Sequence, residues 1–207
     1  MKYNKEDQGR KEEQSAMADL KNPIYKIVLV FNLVCLAGGA VISVQGLCRA
    51  GDAWALLVGE GLSLLSLVFA GYYMVAGYSK NAAKGYKAFA ALFALSQAAS
   101  LLAAVQGEYG WLSITCAAVS LALILVLLFG RNMGRTVSLT LCCVLMALRL
   151  AAVVSFSYPD IPGVTLPGDA AMITLLTGRC AVTLLLACEL CIMTYAKYLD
   201  KIARGAK

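Results

Sequence analysis

The sequence predicts an all-α membrane protein: a bundle of six transmembrane helices with both termini in the cytoplasm. Three observations carry this. Six apolar stretches, at about 24–48, 53–79, 85–106, 110–130, 136–157 and 170–196, each reach the ~20 residues a helix needs to cross a bilayer. The basic residues are unevenly placed: the segment to Lys26, 80–87, 131–135 and the C-terminal segment from Lys197 hold 6, 3, 2 and 4 of the 18 Lys and Arg, whereas the opposite turns hold Arg49 alone. Trp54, Tyr109, Trp111 and Tyr158 fall at one set of span ends, and Tyr25, Tyr72, Tyr73, Tyr78, Tyr86, Tyr195 and Tyr198 at the other. Basic residues resist translocation, and Trp and Tyr settle at headgroup depth.

The spans must be helices, because an open backbone in hydrocarbon leaves its polar groups unsatisfied. A soluble bundle would show polar helix faces, and most of these spans show none. The first apolar stretch follows a long charged tail, is too long for a signal-peptide core and lacks a small-residue cleavage site, so no cleavable signal is expected. The net charge of +6 follows from the basic rim, which meets anionic lipid headgroups. No basic patch with interleaved aromatics occurs, so nucleic acid is not an expected partner.

In chain order, residues 1–22 form a polar cytoplasmic tail of mixed charge, broken from the helical domain by Asn22-Pro23. The transmembrane domain occupies 23–199, and 200–207 form a basic cytoplasmic tail. Tiny turns at Arg49–Asp52, Ser79–Lys84, Gly107–Tyr109 and Arg131–Arg135 force neighbouring helices antiparallel and leave no room for a soluble catalytic domain. Span three repeats Ala90, Ala94 and Ala98 at helical spacing, with Ala99 and Ala103 beside them. Such a ridge lets helix backbones approach closely, either within the bundle or against another membrane subunit or a second copy. The one long loop, 158–169, carries three prolines and is expected to be a stiff connector. Gly39 and Ser43 give span one a pair of small residues one turn apart.

Four ionisable residues lie inside spans: Glu60, Arg149, Arg179 and Glu189. Such residues face protein or water and are functional candidates, since a charge at helix centre costs roughly 2.5–3.5 kcal/mol on insertion scales. Glu60, Arg149 and Arg179 fall within roughly 8 Å of one depth at ~1.5 Å per residue, in the outer half. Glu189 lies ten residues deeper than Arg179. One carboxylate and two guanidiniums leave a positive charge over. Water in a cavity, backbone carbonyls or an anionic group on a ligand can answer it, and the alternative is an ion-pair staple with no ligand. Gly59 and Gly61 flank Glu60, Gly178 precedes Arg179, and Ala152 follows Arg149 by a turn, so the region has space. Gln97, Thr183, Thr177 and Ser63 add polar groups at similar depth.

Cys188, Cys191 and Glu189 are weak metal candidates, since the cysteines are one turn apart. With no histidine in the chain, the expectation is no metal and no cofactor, and the eight cysteines read as small apolar residues. The absence of His also removes the commonest general base. No Gly-x-Ser-x-Gly elbow and no pair of intramembrane aspartates occurs, so an enzyme is not expected.

The outline of six helices with both termini inside is similar to that of the vitamin-binding components of energy-coupling-factor transporters. That resemblance implies pairing with a separate energising module through small residues on an early helix, which Gly39 and Ser43 match in spacing. The residues point to a small permease, or the membrane-embedded binding subunit of a transporter, in the cell membrane. Its outer-half site for an anionic or zwitterionic solute or lipid comprises Glu60, Arg149, Arg179, Gln97 and Thr183. The alternative is a non-transporting scaffold that stabilises membrane partners. Membrane lipids are partners on either reading.

Overall fold

The computed structural model describes residues 23–51, 53–75, 82–107, 110–130, 133–157 and 170–205. Those residues form six helices: α1 (Pro23–Arg49), α2 (Trp54–Val75), α3 (Ala82–Gln106), α4 (Trp111–Phe129), α5 (Arg135–Ser157) and α6 (Ala170–Gly205). No strand occurs among them. Each helix contains a segment long and apolar enough to cross a membrane. Residues 1–22, 52, 76–81, 108–109, 131–132, 158–169 and 206–207 lie outside the described residues, and with them the expected N-terminal tail, the expected stiff connector and Tyr78, Tyr109 and Tyr158 of the aromatic belt.

The helices match the apolar stretches with two informative differences. The second span is drawn to 79, whereas α2 is described to Val75. The sixth is drawn to 196, whereas α6 continues to Gly205. Hydropathy marks where hydrocarbon ends and says nothing about where a helix ends. No Gly or Pro lies between Gly178 and Gly205, so α6 carries on past its apolar part into what the sequence suggested was a tail. At the start of α4 the backbone needs glycine: Gly110 has φ +86°, which L side chains rarely adopt.

Residues through Cys35 form one unit of the chain and Leu36–Lys207 a second, so the boundary falls within α1. In the second unit α3 packs against α2, α4 and α6. Helix α6 also contacts α2 and α5, and α5 contacts α4. Tyr86, Phe89, Phe93, Leu67, Ile124, Leu127, Leu145, Leu186 and Leu190 are fully buried there. Large apolar residues also cover the outside, among them Leu95, Leu102, Val119, Val126, Phe129 and Leu150. Extended exposed apolar surface is what a lipid environment requires of a bundle.

Small residues allow the close packing. Ala90, Ala94, Ala99 and Ala103 are buried within the chain and Ala98 is half-buried, so most of this ridge packs the protein's own helices. A Cβ on Gly39 would come within 3.0 Å of Leu185 and 3.3 Å of Leu67, and Ser43 is fully buried. The small pair on α1 is thus turned toward this chain's own α2 and α6.

Candidate functional site

Glu60 on α2 is 2% exposed and Arg179 on α6 is 7% exposed. Arg179 Nε lies 3.6 Å from Glu60 Oε1. That is an ion pair, longer than the ~2.7–2.9 Å of a charge-assisted hydrogen bond. Arg179 Nη2 donates to Ser100 Oγ on α3 at 3.0 Å, and Ser100 in turn donates to the Ser96 carbonyl at 2.9 Å. One guanidinium therefore ties α6 to both α2 and α3.

Glycine makes this geometry possible. A Cβ on Gly59 would fall on Arg179 Nη2, so the arginine crosses α2 only where a side chain is missing. A Cβ on Gly46 would come 2.9 Å from Glu60 Cδ, so α1 admits the carboxylate by the same means. Ser43, one turn earlier on α1, is also set beside Glu60. Beneath the pair, Ser63 donates to the Gly59 carbonyl at 2.9 Å and meets Ser96 Oγ at 2.7 Å, closing α2 on α3.

Arg149 on α5 stands apart from that pair. It is 5% exposed, with Cys116, Cys180 and Arg179 as its polar and charged neighbours. Its Nε and Nη2 have no hydrogen-bond partner, and it forms no ion pair among the described residues. Arg149 and Arg179 both border a cavity of about 70 Å³ between α3, α4, α5 and α6. Ser100, Ala103, Ala104, Leu112, Ser113, Cys116, Ala117, Ala152, Ser155, Leu176, Cys180 and Thr183 complete its lining. A site needs only ~10–15 Å³ by this measure to hold one water, so there is room for several waters or a small organic anion.

The expected constellation is therefore divided. Glu60 meets Arg179, and Arg149 lies on the cavity side of Arg179 without a carboxylate. Thr183 lines the cavity, its hydroxyl donating to the Cys180 carbonyl at 2.9 Å. Gln97 is fully buried one turn from Ser100 on α3, outside the lining, and neither amide atom has a hydrogen-bond partner. Glu189 is fully buried on α6, ten residues beyond Arg179 and roughly 15 Å further along the helix. It is not part of the cavity. Cys191 lies near Cys142 and Cys143, and Cys188 near Glu189 and Cys191. No three His, Cys, Asp or Glu residues among those described are placed to hold a metal ion.

Sequence reasoning missed Ser100, Cys116, Ser113 and Ser155. Ser100 was within reach, since it lies one turn from Gln97 at the depth of Arg179. The others look like ordinary residues of apolar helices until α4 and α5 are placed beside α6. Comparison of the chain with protein-family models, curated proteins and solved structures finds no match to any of them.

Proposed function

We propose that the chain is a small permease, or the membrane-embedded binding subunit of a transporter, which binds an anionic or zwitterionic solute or lipid in the cavity at Arg149 and Arg179. The protein lies in the cell membrane with both termini cytoplasmic, which puts the cavity in the outer half of the bilayer. The 15 basic residues on the cytoplasmic side against Arg49 alone on the other support that orientation. It acts by binding and passage, without catalysis.

The observation that carries the reading is Arg149. A buried guanidinium without a carboxylate is expensive in hydrocarbon, and this one borders a cavity. A scaffold would need each buried charge to be met within the chain, as Glu60 meets Arg179. Arg149 has no such partner among the described residues, and an anion in the cavity would supply one.

The test is a thermal-unfolding screen of the purified protein with carboxylates, phosphates and phospholipids. A ligand of the folded state raises apparent stability by mass action, at [L] = 100 Kd by about 2.7 kcal/mol. At least one anionic class should stabilise the wild type and fail to stabilise Arg149→Gln. A screen in which no anion shifts the wild-type transition removes the site and with it the transport reading.

A further inference from the structure

The cavity is chemically graded along the bundle. On α6 its lining runs Leu176, Arg179, Cys180, Thr183, a rise of about 10 Å at ~1.5 Å per residue. Toward the ends of α3, α4 and α5 the walls are Ala103, Ala104, Leu112 and Leu176 together with Ser113 and Ser155, the latter turned back to the Ala151 carbonyl. The two guanidiniums lie deeper. A ligand therefore meets charge at one end and a mostly apolar wall at the other, with the charged end buried.

Three further facts narrow its chemistry. Glu60 answers Arg179 and leaves Arg149 over, so the local excess is a single positive charge. Next, the two nitrogens of Arg149 without partners, Nε and Nη2, lie on one edge of the guanidinium. Both are buried in the cavity wall, and the guanidinium is a planar fork that matches the two oxygens of a carboxylate. Finally, most of the lining hydroxyls are committed to their own helices. Ser100 donates to the Ser96 carbonyl, Thr183 to Cys180 and Ser155 to Ala151. Few donors remain for additional ligand oxygens. A phosphate monoester, with roughly −1.5 to −2 charge and three acceptor oxygens, exceeds what the site offers on both counts.

We infer that the cavity takes a monoanionic carboxylate with a short apolar body, its carboxylate against Arg149 and its body toward Leu112 and Leu176. This rests on the anion-site reading above and narrows it to one class. The carboxylate has two sources, a soluble acid entering from the water or a fatty acid entering from the bilayer, and the probes below separate them.

The experiment is thermal unfolding of the full chain in neutral detergent at matched ionic strength. The probes are acetate, hexanoate, hexanol, succinate, inorganic phosphate and palmitate. Hexanoate should stabilise at concentrations about tenfold lower than acetate, since each buried methylene adds to binding. Hexanol should have no effect. Arg149→Lys, which keeps the charge and loses the fork, should weaken hexanoate about tenfold or more. Leu112→Ser should weaken hexanoate and leave acetate unchanged, and this variant keeps the test alive if Arg149 variants do not fold. Palmitate acting alongside hexanoate supports the carboxylate with the bilayer as a further source, whereas palmitate acting alone overturns the short body. Succinate or phosphate acting at lower concentration than hexanoate overturns the monocarboxylate class and leaves the anion site standing. No shift with any anion overturns both.

Discussion

Gly59 and Arg179 occupy the same space in turn: the point where a Cβ of residue 59 would sit is taken by Arg179 Nη2. The arginine reaches Ser100 by passing over a helix that has no side chain at that position. Gly59→Ala should therefore displace the guanidinium and weaken its contacts with Glu60 and Ser100. Overpacking of this kind costs about 1–3 kcal/mol. Gly61→Ala is the internal control, because nothing lies within 4 Å of its Cβ position. Ala is favoured over Gly in a helix by about 0.5–1 kcal/mol, so that variant should be neutral or slightly stabilised. Detergent melting curves of the two proteins decide the matter; equal losses would show that the Gly59 contact is not specific.

The Glu60–Arg179 pair should behave as a coupled unit. Removing one partner of a buried pair typically costs about 3–5 kcal/mol, because the other charge is left in a poorly solvating place. Glu60→Gln and Arg179→Gln should each show a large loss. The double variant should lose less than the two singles together. Additive losses in a double-mutant cycle would mean that the 3.6 Å contact carries no energy.

Gln97 offers a stabilising change. Its amide is buried with neither atom hydrogen-bonded. An unsatisfied buried amide costs about 1–3 kcal/mol on mutational scales. Gln97→Met keeps length and roughly the volume while removing the polar atoms, and should raise the melting temperature. A lower melting temperature would mean that the amide has partners, such as ordered water, when the protein is in solution.

Orientation is tested with an impermeant thiol reagent on intact cells, in a background without native cysteines. Ala53 and Gly134 are both exposed and sit in connections on opposite sides of the expected bundle. Ala53→Cys should label from outside, and Gly134→Cys should label only after permeabilisation. The reverse pattern would turn the whole bundle over and place the Arg149 cavity in the inner half.

The six helices were legible because a bilayer demands length and apolarity, which sequence displays directly. The charged residues were legible because each is costly where it lies, and depth alone brought Glu60, Arg149 and Arg179 to one level. How they divide was not legible. Residue spacing along α2, α5 and α6 gives height in the bundle but leaves rotation about each helix open. Rotation decides that Arg179 turns to Glu60 while Arg149 turns to the cavity. The same reason hid Ser100 and Cys116, which carry no signal until four helices are arranged around one space. The alanine ridge on α3 was legible as a close-packing surface, but its partner was not: Ala90 and Ala94 pack against helices of this chain.

Helix α6 is 36 residues long, about 54 Å at ~1.5 Å per residue, against a hydrocarbon core of about 30 Å. It behaves as one unbroken beam. Arg179 borders the cavity near one end, and 18 residues further on, about 27 Å away, Lys197 Nζ sits 4.3 Å from the centre of the Tyr86 ring on α3. Tyr86 is itself fixed, its hydroxyl donating to the Leu127 carbonyl at 3.0 Å. Two points of the beam well inside its ends are thus both held to α3, Arg179 by Ser100 and Lys197 by Tyr86. Any tilt of α6 away from α3 beside the cavity would therefore also strain the Lys197–Tyr86 contact about 27 Å away.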